Sequence, residues 1–245
     1  MRHARGVPSI RDRSGLDIET GKVWVISLGG SRIVPDFVDD KFLARFKNLV
    51  NSHPSQKFVV VTGGGSTARK YISALRKLGE NTKAQSMEGI GITRLHAGFM
   101  SRFFGKSANE EIPLNMERVK NLLAKNHIVF CGALRWRAKN TSDGTAAKLA
   151  GFLECPFINL TNVQGLYSDD PNKNKNAKFI SRISWDDFLK LTEKVEYEAG
   201  QHFVLDQSAA KTIKDNKIVT YIVGSLSAIN NILVGKKFMG TMIGG

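Results

Sequence analysis

The residues best equipped for chemistry in this chain are glycines set beside cations. Gly63, Gly64 and Gly65 follow four apolar residues, Phe58 to Val61, and precede a helical pattern that starts at Ser66, with Ala68, Tyr71, Ile72 and Leu75 on one side. Strand, glycines and helix make the geometry of an anion site. Glycine lets backbone approach a ligand closely, and the first N–H groups of a helix point outward without internal partners. Arg69 falls in the first turn, where its guanidinium can fork onto a phosphate oxygen. A tight strand-to-helix turn explains the triplet equally well, so three further loops carry weight. Gly29, Gly30 and Ser31 end another apolar run. A loop from Gly132 carries Arg135, Arg137 and Lys139, then Thr141-Ser142-Asp143 at a helix start. Asp143 is placed to hold magnesium or to orient the groups that do, and helix capping is the plainer role of that trio. Thr161 to Asp170 brings Asn162, Tyr167 and Asp170, suited to a base and ribose or simply to a β-turn. The chemistry these loops have in common is the binding and transfer of phosphate groups.

Composition narrows the alternatives. With 245 residues, 42% hydrophobic and 24% charged, the chain has the make-up of a soluble globular protein. Cys131 and Cys155 offer no CxxC spacing, and the five histidines are scattered, so a reducing compartment and no protein-held metal site are expected. A net charge of +14 attracts polyanions and also suits substrates carrying several phosphates. The lysines are spread along the chain and no nucleic-acid motif is present, so nucleic acid is not an expected partner. Ile218 to Gly235 lacks formal charge, but Thr220, Gly224, Ser225, Ser227, Asn230 and Asn231 make it too polar for a bilayer helix. Without an apolar leader either, the expected location is cytoplasmic.

The elements that must position these loops alternate. Strands are expected over Lys22–Leu28, Phe58–Val61, His127–Cys131, Pro156–Leu160, Lys217–Val223 and Thr241–Ile243. Helices are expected over Phe37–Val50, from Ser66, and over Gln85–Phe104, Asn115–Lys125 and Ser142–Leu153. Ser184 with Asp187 forms a capping box, and Asp206 caps Gln207–Asp215. Alternation of this kind predicts an α/β fold with a mostly parallel sheet covered on both faces. In such a sheet the four loops all leave the carboxyl edge, where ligands bind. Residues 1–21 are arginine-rich and poorly periodic, an extension to a single domain over residues 22–245.

Six segments occur in one order: ISLGGS (Ile26–Ser31), VVTGGGSTARKYI (Val60–Ile72), GITRLHA (Gly91–Ala97), TSDGTAAKLA (Thr141–Ala150), TNVQGLYSDDP (Thr161–Pro171) and VLDQSAAKTI (Val204–Ile213). Together they resemble the amino-acid-kinase superfamily, and within it the archaeal type of uridylate kinase. The resemblance implies a three-layer α/β/α sandwich, transfer of phosphate from ATP to UMP with Mg2+, and a homo-oligomer, usually a hexamer built from dimers. It assigns Gly29, Gly30, Ser31, Gly65 and Arg69 to the ATP phosphates, and Thr161, Asn162, Tyr167 and Asp170 to the nucleoside end of ATP. It assigns Gly63 and Gly64 to the UMP phosphate, Ser86 or Glu88 to its ribose, and Gly132, Ala133, Arg135, Arg137, Asn140 and Thr141 to the UMP loop. Arg69 and Asp143 are the residues expected to act in the transfer itself. The chain departs from the pattern in three places. Ser27 stands where other branches carry lysine, Ser86 where an aspartate is usual, and the UMP loop, GALRWRAKN, is about two residues longer and far more basic. These departures leave room for a different small phosphate or carboxylate acceptor, or for a nucleotide- or oxyanion-binding assembly without turnover.

Overall fold

The computed structural model of the chain describes residues 22–135, 141–169, 174, 176–194 and 205–245. The expected N-terminal extension lies outside these residues. The strands are β1 (Val23–Leu28), β2 (Lys57–Thr62), β3 (Ile128–Cys131), β4 (Phe157–Leu160), β5 (Leu166–Tyr167), β6 (Phe179–Ile180), β7 (Arg182–Ile183), β8 (Thr220–Val223) and β9 (Thr241–Ile243). Seven of them form one sheet in the order β3-β2-β1-β4-β8-β9-β7, parallel except where β9 runs against β8. The four strands at one end read VWVISL, KFVVVT, IVFC and FINL. Such continuous β-branched and apolar runs belong to strands covered on both faces.

The cover is helical on each side, which makes a three-layer α/β/α sandwich. Helices α5 (Met116–Lys125), α6 (Ser142–Phe152), α7 (Trp185–Lys194) and α8 (Gln207–Asp215) bury Val119, Leu123, Leu149, Phe188 and Ile213 against one face. On the other, α2 (Asp40–Asn51), α4 (Thr82–Phe104) and α9 (Leu226–Leu233) bury Phe42, Phe46, Met100, Phe104 and Ile229. Two helices remain, α1 (Gly30–Ile33) and α3 (Gly65–Lys77). The second lies against α4 and fully buries only Ala68, leaving Tyr71 exposed at its outer side. No helix of the described residues is long and apolar enough to cross a membrane.

Two helix starts differ from the periodicity. Phe37 is 86% exposed and Val38 is exposed as well, because the Asp39 carboxylate accepts from the Phe42 N–H and starts α2 there. Asn81 accepts from the Ala84 N–H, so α4 starts before Gln85, and Gly105, at φ 64°, ends it. At the sheet edge, Asn109 is fully buried. It accepts from the Phe130 N–H at 2.7 Å and donates to the Phe130 carbonyl at 3.0 Å, occupying groups that an edge strand would leave open.

Phe46 is wholly buried, with its ring edge-on to Phe104 at 6.0 Å, and Phe104 is edge-on to Phe130 at 4.8 Å. This ladder joins α2, α4 and β3. Phe46→Ala is therefore expected to cost about 3–5 kcal/mol of stability, the range for emptying an aromatic site in a packed core. Urea unfolding should show a lower midpoint with an unchanged slope.

Candidate active site

The strand order β3-β2-β1-β4 places four consecutive parallel strands side by side. Their carboxyl ends release the four loops in the row Gly132, Gly63, Gly29 and Thr161. The two middle loops are the glycine-rich ones, and they touch backbone to backbone. A Cβ on Gly30 would lie 2.4 Å from the Gly63 carbonyl oxygen and 2.5 Å from the Gly65 nitrogen. Conversely, a Cβ on Gly65, which sits at φ 59°, would lie 2.4 Å from the Gly30 carbonyl carbon. No side chain fits on either position. Neither α1 nor α3 has a side-chain cap, so the N–H groups at the α3 start stay open to a ligand. The third helix start nearby, that of α6, is capped: Thr141 Oγ1 accepts from the Gly144 N–H at 3.0 Å.

Asp143 lies in the first turn of α6, and Ser27 Oγ, from the middle of the row, donates to it at 2.6 Å. The residue keeps some exposed surface while its carboxylate is desolvated. Burial pushes the carboxyl up to about 6, the bond from Ser27 draws it back, and the negative charge of Asp206 raises it further. Asp206 caps α8 through the Ala209 N–H at 2.8 Å and accepts from the Thr141 hydroxyl. Among the described residues no three histidine, cysteine or acidic side chains cluster as a metal cage.

At the Thr161 end, the Arg32 guanidinium donates to the carbonyl oxygens of Thr161 and, at 2.8 Å, Gly224, tying the β4 and β8 loops together. Burial lowers its pKa, and the charge of Asp39 opposes that. The Thr161 hydroxyl donates to the Asn162 side chain, and the half-buried Tyr167 ring packs edge-on to Phe179 at 5.3 Å. Asp170 lies outside the described residues.

The Gly132 end leans on α4. A Cβ on Gly132 would lie 2.6 Å from Thr93 Oγ1. Ala133 N–H donates to that oxygen at 2.9 Å, and Arg94 donates to the carbonyls of Ala133 and Leu134 at 3.1 and 2.9 Å. Below the middle loop, His96 Nδ1 donates to the Gly63 carbonyl at 2.8 Å. Ser86 and Glu88 are half-buried on α4, with the Ser86 hydroxyl donating to the Thr82 carbonyl of its own helix. Arg69 and Arg135 are exposed. Arg137 and Asn140 lie outside the described residues. A cavity of about 460 Å³ opens between Leu134, Arg135, the α5 start and Thr145 and Lys148 of α6, and none of the loop glycines lines it.

Five residues of this arrangement do not stand out in the sequence as site residues. Arg32 and Asp206 act across large sequence separations, and Thr93, Arg94 and His96 sit inside an apolar helix. Their one visible signal is the run GITRLHA, polar groups at positions that helical spacing assigns to a buried face.

An open parallel sheet with two glycine loops at adjacent helix starts defines a phosphate-binding α/β protein of the nucleotide-handling class. Comparison narrows this further, since the profile of the Amino acid kinase family matches residues 22–224, and the chain belongs to that family. The uridylate kinase of Thermococcus kodakarensis is 34% identical over 222 residues, 89% of this chain and 98% of that protein. The uridylate kinase of Thermoplasma acidophilum is also 34% identical over 222 residues, covering 89% and 95%. The crystal structure of uridylate kinase from Archaeoglobus fulgidus superposes with a TM-score of 0.79 at 32% identity, covering 90% of this chain and 99% of that one.

The raised Asp143 carboxyl makes a prediction. In the unfolded chain the group titrates at about 3.9, below its folded value. Between the two values the folded state binds more protons, so stability falls as pH rises from about 4 to 6, by roughly 2–3 kcal/mol in total. Asp143→Asn keeps an acceptor for Ser27 and removes the charge. Urea midpoints measured across this window should be flatter for the variant, and near neutral pH it should be the more stable protein.

Proposed function

We propose that this chain is an ATP-dependent UMP kinase that transfers the γ-phosphate of ATP to UMP, giving UDP for pyrimidine nucleotide synthesis. The observation that carries this reading is the row of four loops with its two glycine loops in backbone contact, in a chain similar over nearly its whole length to uridylate kinases. The middle loops hold phosphates and the outer ones hold nucleosides. Gly29, Gly30, Ser31 and Gly65 receive the ATP phosphates, and Thr161, Asn162, Tyr167 and Asp170 its ribose and base. Gly63 and Gly64 receive the UMP phosphate. The loop from Gly132 through Ala133, Arg135, Arg137, Asn140 and Thr141 closes on the rest of UMP, with Ser86 and Glu88 nearest its ribose. The unit that does this runs from Lys22 to Gly245.

Transfer asks little covalent chemistry of the protein. The acceptor phosphate is already an anion near neutral pH, so positioning and charge neutralisation carry the rate. Backbone N–H groups at the α3 start hold the phosphates in line, and Arg69 offsets charge on the transferred group. Mg2+ bound with ATP would supply charge neutralisation at the phosphate oxygens, with Asp143 the residue that would hold it or orient its ligands. The donor set fits this mode of binding: among the described residues, Asp143 is a desolvated carboxylate beside Ser27 at the sheet edge that carries the glycine loops. Ser27 holds that carboxylate in place. The long basic loop supports a second reading, in which the same machinery phosphorylates another small phosphorylated acceptor.

Leu95 is 58% and Met87 46% exposed on the outer side of α4. Apolar groups of this size on one helix support a dimer interface there, with a hexamer built from such dimers. Two buried free cysteines support a cytoplasmic home.

With MgATP and a panel of UMP, CMP, dUMP and AMP, ATP consumption is expected to be fastest with UMP. Faster turnover of another acceptor would assign the second reading. Arg69→Ala is expected to lower kcat/KM for UMP by more than about tenfold, roughly 1.4 kcal/mol of transition-state stabilisation, mainly through kcat. Light scattering at micromolar concentration is expected to give a multiple of the chain mass, and Leu95→Glu a smaller particle.

A further inference from the structure

We infer that Thr93, Arg94 and His96 of α4 are positioning residues that set the acceptor loop against the glycine cradle, an inference that rests on the UMP kinase reading. Each has its polar group committed to backbone that the reading gives to the acceptor. Thr93 bridges two strand ends: its carbonyl accepts from Thr62 Oγ1 of β2 at 2.8 Å, and its Oγ1 accepts from the Ala133 N–H after β3 at 2.9 Å. Its hydroxyl proton goes to the Ile90 carbonyl at 2.7 Å, which leaves the lone pairs of Oγ1 facing the loop. Arg94 then grips the next two carbonyls with Nε and Nη2. A fork that takes Ala133 and Leu134 together defines the direction of the chain at that point, as a single donor would not.

His96 acts on the neighbouring loop. Its bond to a carbonyl oxygen places a proton on Nδ1. The peptide unit is planar and trans, so its C=O and N–H point in opposite directions. Holding the Gly63 carbonyl toward α4 therefore turns the Gly64 N–H away from α4, toward the open edge of the sheet. Three side chains within one turn of a single helix thus orient both the phosphate-binding amide and the loop that covers the acceptor.

Charge points the same way. Arg94 is half-buried, and its partners among the described residues are two neutral carbonyls with no carboxylate. A half-buried cation beside the Gly132 loop favours an anionic acceptor there. The helix packs directly on the loop, since a Cβ on Gly132 would lie 2.7 Å from the Arg94 nitrogen. The donor end of the row is held by Arg32 instead, so a change at Arg94, whose side chain among the described residues bonds only to the Gly132 loop, should be felt by the acceptor and not by ATP.

The test uses two readouts on the full chain. In steady-state kinetics, Arg94→Ala should raise KM for UMP by about tenfold or more while KM for ATP stays within about twofold. Arg94→Lys should not restore it, because a single ammonium lacks the fork. Equal rises in both KM values, or none, would overturn the acceptor assignment. In ligand-free protein, amide exchange at Ala133 should accelerate by about tenfold or more in Thr93→Val, stay near wild type in Thr93→Ser, and leave β8 amides unchanged. His96→Leu should slow turnover, and His96→Asn, which keeps a donor, should recover most of it. Exchange at Ala133 that is the same in Thr93→Val as in wild type overturns the inference, whatever the kinetics show. If wild-type protein fails to phosphorylate UMP, the function reading fails, and the exchange experiment still decides whether α4 orders the loop.

Discussion

The site depends on a contact between two stretches of bare backbone. Gly30 and Gly63 to Gly65 approach so closely that a methyl group at Gly30 or Gly65 would overlap main-chain atoms of the facing loop. Parallel strands stand about 4.8 Å apart, so loops from adjacent strands meet at this distance only if neither carries a side chain inward. Gly65 satisfies a second demand as well, since it enters α3 at a positive φ that other residues adopt at a cost of about 1 kcal/mol or more. The contact brings amides from two strands to one place, a concentration of donors that a single glycine loop does not achieve.

Asp143 shows what this arrangement costs elsewhere. A desolvated carboxylate whose pKa is raised weakens the fold at neutral pH, and Asp206 nearby makes it worse. An asparagine would satisfy Ser27 without the charge. Asp143 is thus a charge held where it destabilises, which packing alone does not explain. The hydroxyl of Ser27 tempers the penalty without cancelling it, so the group, raised to about 6, is ionised near neutral pH.

Much of this was legible in the sequence, for a physical reason. Glycine loops between strand and helix are local features, and Gly29–Ser31, Gly63–Gly65 and the caps at Asn115, Thr141 and Asp206 fall where neighbouring residues place them. The parallel sheet followed from alternation of elements. Phe37 and Val38 misled the periodicity because an apolar residue before an N-cap mimics the first turn, while Asp39 decides the true start. The bonds from Ser27 to Asp143 and from Arg32 to Gly224 span 116 and 192 residues, and no local pattern announces them. Thr93 and His96 were hidden for a different reason, since a polar residue in a long apolar helix reads as tolerated and not as used.

The ties along the row differ in kind between its centre and its ends. From one end, α4 holds the Gly132 loop and the Gly63 carbonyl, the Gly63 and Gly30 loops interlock, and Arg32 joins the Thr161 loop to Gly224. The middle of this series is backbone on backbone, where substitution meets immediate overlap. Its ends are side chains gripping carbonyls, where sequence can change and a bond be re-made with another donor. The Gly132 loop is where this chain's sequence is long and basic, and α4 grips its first residues. On the UMP kinase reading, acceptor choice falls to the loop and its anchor, and phosphate binding to the interlocked centre.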